Sequence, residues 1–173
     1  RQKYGYEIEE SRWILNPDEE PKPEEYEDAY SKVARRQNFK RKSPKAYQAK
    51  GSKEAEGFLN IVTGRMPVEA VKAKAKEYNC TVTAFLTAVL MDVFQDIQEK
   101  EKKRKIRQMP IVINIPVDLR KFYPSKTVSN FFANINIGLD RALGHYSFAE
   151  IVEQVKHGMA LNITEKRVNN LIA

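Results

Sequence analysis

Pro116-Val117-Asp118-Leu119-Arg120, followed by Ser129-Asn130-Phe131-Phe132-Ala133-Asn134-Ile135-Asn136-Ile137, decides how this chain is read. It predicts two β-strands joined by a short loop, with an arginine closing the first. The second strand divides by parity: Phe131, Ala133, Ile135, Ile137 and Leu139 share one side, and Asn130, Asn134 and Asn136 share the other with Phe132. A period of two marks a strand between unlike environments. Asparagine is depleted in strands, so a row of carboxamides on one face points to a groove that hydrogen-bonds a ligand or another polar backbone. A plain solvent-facing sheet is the competing reading.

Outward from this pair, Ile111 to Val117 is apolar at nearly every position except Asn114 and reads as a central strand. Before it, Val82, Phe85, Leu86, Val89, Leu90, Val93, Phe94 and Ile97 recur at helical spacing, with Thr81 or Thr83 as cap. Ala84, Ala88 and Met91 widen the stripe, so this helix is expected to be buried on more than one side. The basic run from Lys100 to Arg107 ends it. Earlier still, Phe58 to Thr63 reads as a strand, and a helix follows from Pro67 to about Asn79. After the asparagine strand, Ser147-Phe148-Ala149-Glu150 is a capping box opening a last helix, which Gly158 and Asn162 weaken. Strand, helix, helix, strand, strand, helix is an α/β order, with a mixed β-sheet flanked by helices.

The remainder is polar. Residues 1–53 form a connecting region with turns at Asn16-Pro17-Asp18 and Pro21-Lys22-Pro23 and a short helix from Glu24 to Arg35; residues 54–173 form the α/β subdomain. The net charge of +7 is distributed as an acidic block over residues 7–28 and a basic block over residues 32–53. Adjacent blocks of opposite sign pair with each other or face solvent. They lack the interleaved aromatics and glycines of a nucleic-acid groove, so nucleic acid is not the expected partner. No apolar run reaches the ~20 residues of a membrane span. The single cysteine, Cys80, suits a reducing cytoplasm.

Catalytic residues are sparse. His145 and His157 belong to no metal-ligand spacing, Cys80 has no base near it, and the seven glycines form no phosphate loop. Arg120 is the most informative charge, because a buried arginine needs an anionic partner. Asp118, two residues away on the same face, is one candidate; a carboxylate elsewhere, through which Arg120 fixes a catalytic loop, is the other.

These residues carry a resemblance. Pro116-Val117-Asp118-Leu119-Arg120 resembles the Pro-Val-x-x-Arg motif of the condensation-domain and chloramphenicol-acetyltransferase-like acyltransferase superfamily. Ser129 to Ile137 is similar to the strand that follows it there, and Thr81-Val82-Thr83-Ala84-Phe85-Leu86 to the helix that precedes it. From Phe58 to about Val168, including Arg120-Lys121-Phe122-Tyr123-Pro124-Ser125-Lys126, the chain looks like the bacterial alcohol-acetyltransferase branch. The resemblance implies a fold of two similar α/β halves around a channel, and acyl transfer from acyl-CoA to an alcohol or amine. It implies no tightly bound cofactor, acyl-CoA being the donor substrate. It makes Arg120 the structural brace of the active site and Asn130, Asn134 and Asn136 channel-lining candidates.

The family's general base is the histidine of a His-x-x-x-Asp-Gly motif. Here Ala149 follows His145 and Leu161 follows His157 at the aspartate position, so the motif is absent. The expectation is a linker plus the C-terminal half of a longer acyltransferase, with the N-terminal half as partner and no catalytic residue in this segment. The alternatives are a non-catalytic binding or scaffold module of the same fold, or a basic nucleic-acid-binding protein.

Overall fold

The computed structural model describes residues 20, 22–34, 45–52 and 54–172. The turn expected at Asn16–Asp18 and residues 35–44 and 53 of the basic block lie outside them. The described residues form an α/β fold of six helices and a two-stranded sheet. Helix α1 spans Ala29–Val33, α2 Val68–Glu77, α3 Val82–Glu99, α4 Arg104–Arg107, α5 Phe148–Asn162 and α6 Glu165–Asn169. Strand β1 (Ile111–Asp118) pairs antiparallel with β2 (Phe132–Leu139), with Asn114 opposite Asn136 and Val117 opposite Ala133.

Parity sets the two faces of the sheet. Ile111, Ile115, Val117, Ala133, Ile135, Ile137 and Leu139 are buried, while Asn114, Pro116, Asp118, Phe132, Asn134, Asn136 and Gly138 are exposed. On the buried face α3 packs over β1 and α5 over β2, and the two helices pack on each other. The helices therefore cover one face only and leave the asparagine face open. The Leu119 N–H donates to the Phe131 carbonyl at 3.1 Å, which turns the even-numbered peptide groups of both strands outward along the free edges. Pro116 occupies such an edge position, where its missing N–H costs no ladder bond. The Tyr30 hydroxyl fills another: it donates to the Phe132 carbonyl at 2.5 Å and accepts from the Phe132 N–H at 2.9 Å.

The helix ends follow their sequence signals. Thr81 caps α3 through the Ala84 N–H at 3.1 Å, and Ser147 and Glu150 form the expected capping box on α5. Asn79, at φ 49°, closes α2 in the left-handed region that asparagine tolerates. Gly158 stands where α5 meets β2. A Cβ there would stand 3.1 Å from two Ile137 side-chain carbons, so glycine lets helix and strand approach.

Two expectations fail. The apolar stripe of α3 is not the buried one: the helix buries Ala84, Thr87, Ala88, Met91, Gln95 and Gln98, and turns Leu86, Val89, Leu90 and Val93 to solvent. Ala84 and Ala88 leave room where α3 meets its neighbours, Met91 joins the core, and Gln95 and Gln98 are buried through their hydrogen bonds to loop carbonyls. Phe58 to Thr63 enters no sheet and exposes Phe58, Leu59, Ile61 and Val62. An isolated apolar run has no ladder of its own, and its backbone stays with water. Strand β1 accordingly has a single strand neighbour rather than two.

Residues 22–34 and 45–50 lie against the subdomain. Ala29 is buried with Leu119, Phe131, Ala133 and Val168. The Tyr47 N–H donates to the Pro110 carbonyl at 2.8 Å, beside the start of β1.

Candidate functional site

The open face of the sheet and the β1–β2 loop bound a groove of about 640 Å³, lined by Asn114, Pro116, Asp118, Arg120, Asn130, Phe132 and Asn134, with Val128, Ser129 and Phe131. Strand parity places Asn134 there, and the bend before β2 places Asn130. Asn136 shares the face without lining the groove; its Oδ1 accepts from Asn114 Nδ2 at 2.9 Å. Asn114 and Asn136 stand opposite each other as a pair without ladder bonds, the type whose side chains lie closest. Asn114 is thus a fourth member of the carboxamide row. Its parity with Pro116 and Asp118 was the sequence signal; Asn114 stood out as the polar exception of the strand, but was not joined to the asparagines of β2.

Arg120 closes one end of the groove. Its Nη1 donates to Asp118 Oδ1 at 3.0 Å, and its Nη2 donates to the carbonyls of Thr127 at 2.6 Å and Ser129 at 2.8 Å. The same Asp118 oxygen accepts from the Arg120 N–H at 3.0 Å. The guanidinium also lies 5.9 Å from the centre of the buried Phe131 ring. One planar fork thereby ties the end of β1 to the loop entering β2, which a single point charge would not do. Of the two partners considered for Arg120, Asp118 is the one this structure supplies. Glu24, Glu27, Lys32, Pro124, Ser125 and Lys126 line a second depression with Arg120. Arg120 therefore stands between two hollows.

The loop under the clasp is held from the N-terminal side. Thr127 Oγ1 donates to the Glu27 carbonyl at 2.9 Å, Ser125 Oγ to Glu27 Oε1 at 2.8 Å, and the Val128 N–H to the Glu25 carbonyl at 2.7 Å. Residues 22–34 thus position the groove wall as well as the core.

No histidine or cysteine lines the groove. His145 Nδ1 meets Glu99 Oε1 at 2.5 Å on the opposite, helical side, and His157 is exposed on α5. The Cys80 thiol donates to the Ala75 carbonyl at 3.4 Å, and burial pushes its pKa up, away from thiolate chemistry. Among the described residues no group of His, Cys, Asp and Glu could hold a metal ion. What the groove offers is carboxamide donors and acceptors, an apolar rim at Val128 and Phe132, and one ion pair. That set can bind and orient a neutral ligand rich in amide or carbonyl groups, and among the described residues it includes no free base.

Sequence reasoning missed a buried polar network behind β2. Arg141 donates through Nε to Gln98 Oε1 at 3.2 Å, through Nη1 to Gln95 Oε1 at 2.6 Å and to the Gly144 carbonyl, and through Nη2 to Glu99 at 2.9 Å. Gln98 Nε2 donates to the carbonyls of Ile106 and Met109 at 2.8 Å. The network locks the loops on either side of the sheet, and its one signal was two glutamines opposite the apolar stripe of α3.

No curated protein and no solved structure shows a match to this chain. The family model for alcohol acetyltransferase matches residues 27–159, a span holding the α1 helix, both strands, the Arg120 clasp and most of α5. With more than half of its length inside that match, the chain belongs to the alcohol acetyltransferase family.

Proposed function

We propose that this chain forms one wall of the channel of an enzyme that moves an acyl group from a CoA thioester to an alcohol or amine. The observation that carries this reading is the carboxamide-lined groove braced by Arg120, within a chain of the alcohol acetyltransferase family. In the reaction the acceptor oxygen or nitrogen attacks the thioester carbonyl carbon and the carbon–sulfur bond breaks. The acceptor's proton passes to a general base and then to the departing thiolate. Asn130, Asn134 and Asn136, with Asn114, supply amide donors and acceptors along the channel. Arg120 holds the loop from Thr127 to Ser129 so that this wall keeps its shape when ligand enters.

The base lies outside the groove formed by the described residues, because among them Asp118 and Arg120 are the ionisable groups that line it and they pair with each other. A histidine from another part of the same polypeptide, with the N-terminal half as partner, completes the site. That same pairing favours a second reading, a binding module that keeps the fold without the chemistry.

A thiol-release assay with acetyl-CoA and a panel of alcohols and amines tests both. Full-length protein is expected to release CoA, and the 173-residue chain alone to release none. Activity from the chain alone overturns the assignment of the base. No activity from full-length protein, together with retained acetyl-CoA binding, establishes the binding module. Substituting Arg120→Ala is expected to lower full-length turnover at least tenfold while CoA release stays measurable.

A further inference from the structure

The basic run that follows α3 takes no part in the groove, and the structure gathers its first lysines around a hollow of their own. Where α3 ends and α4 begins, a space of about 510 Å³ is lined by Lys50, Lys100, Lys102 and Lys103 and by the apolar side chains of Ile97 and Ile106. A cavity of that size suits a small ligand.

The one acid in the lining is already matched. Glu101, with a side chain only 18% exposed, accepts from Lys50 Nζ at 3.2 Å. Among the described residues no carboxylate pairs with Lys100, Lys102 or Lys103. Three like charges therefore face one hollow uncompensated, and they repel one another across it. A cation at a helix C-terminus is favourable, which accounts for Lys100 on the end of α3. The effect fades within the last turn, and Lys102 and Lys103 lie past it.

The backbone that carries these lysines is held in place. Arg107 Nη1 donates to the carbonyls of Glu101 at 2.8 Å and Lys102 at 3.2 Å. The Lys103 carbonyl accepts from the Ile106 N–H at 2.9 Å and the Arg107 N–H at 3.2 Å, and the Glu101 N–H donates to the Gln98 carbonyl at 3.1 Å. A loop that merely spread its charges into water would need no such brace. A rim fixed in advance loses less entropy when it closes on a ligand.

We infer that this hollow binds the phosphates of an organic polyphosphate, with Ile97 and Ile106 against its carbon portion. The lysine ammonium is a compact charge and a common phosphate binder. A carboxylate brings one negative charge and a phosphate monoester about two at neutral pH, so two phosphate groups match three lysines. Such phosphates come on a soluble coenzyme or nucleotide, or on a phosphorylated lipid headgroup. The rival is a nucleic-acid strand, which stacks its bases on aromatic rings, and no aromatic side chain of the described residues lines the hollow. The inference stands apart from acyl transfer in the groove and survives its failure.

Calorimetric titration of the 173-residue chain with sodium pyrophosphate tests it. Lys102→Glu/Lys103→Glu should weaken binding by about tenfold or more, with an unchanged far-UV spectrum. Lys72→Glu/Lys76→Glu makes the same change of charge on the exposed face of α2, and should weaken binding by less than about twofold. Equal losses in the two double variants, or no binding at about 5 mM pyrophosphate, overturn the site. Coenzyme A and vesicles containing phosphatidic acid distinguish the sources: the one that displaces pyrophosphate from the unaltered chain carries the phosphates that this hollow takes. A single-stranded oligonucleotide that binds through the same lysines more tightly than pyrophosphate gives the surface to nucleic acid and overturns the small-ligand assignment.

Discussion

Arg120 makes bonds to one carboxylate and two carbonyls, and all of them lie within nine residues of it along the chain. Its pairing with Asp118 was visible beforehand, because parity places both side chains on one face. The carbonyls of Thr127 and Ser129 were not, since the path of a loop backbone leaves no trace in residue types. Charge-assisted bonds each contribute on the order of 1.5–3 kcal/mol when shielded. Arg120 is a third exposed, so Arg120→Ala should cost about 1–2 kcal/mol in all. Arg120→Lys should recover little of it, because an ammonium cannot span three acceptors as a planar fork does. Urea denaturation reads both variants, and an unchanged midpoint for Arg120→Ala would show that the loop holds without the clasp.

At the scale of elements, α3 shows what periodicity reveals and what it hides. Its extent and cap followed from Thr81 and the repeat after it, but the repeat identifies the apolar side, not the packed side. The packed side carries Ala84, Ala88 and Met91 against the core and Gln95 and Gln98 bonded to Arg141 and loop carbonyls. The same helix carries Glu99, which accepts from Arg141 and His145 where α3 meets the loop after β2. The hydrogen bond from His145 holds the Glu99 carboxyl below its ordinary value of 4.5, against partial burial that pushes it up. A carboxylate lowered on folding stabilises the fold above its unfolded pKa, and that contribution is lost as pH falls through the folded value. Melting temperature should therefore be level above about pH 5 and fall below it. Glu99→Gln should flatten part of that fall while leaving the neutral-pH trend in place. An identical acid limb in the variant would remove Glu99 from the pH dependence.

For the molecule as a whole, the polar N-terminal region proves to be part of the packing. Composition suggested a connector because residues 22–34 contain little that is apolar, and few residues suffice: Ala29, Tyr30 and Val33 close over Leu119, Phe131 and Val168. Removing residues 1–34 should expose those three, lower stability by at least about 2 kcal/mol and produce dye binding by the exposed apolar surface, all readable in a denaturant titration. A truncated chain as stable as the parent would show that the cluster closes without them. Tyr30 gives this arrangement a schedule. The peptide group its hydroxyl bridges belongs to Phe132, 102 residues further along. A ribosome adding about 5–20 residues per second takes roughly 5–20 s to cross that interval. Throughout it Tyr30 has no Phe132 to close upon, so this seal on the sheet edge is set by a segment synthesised long before the edge exists.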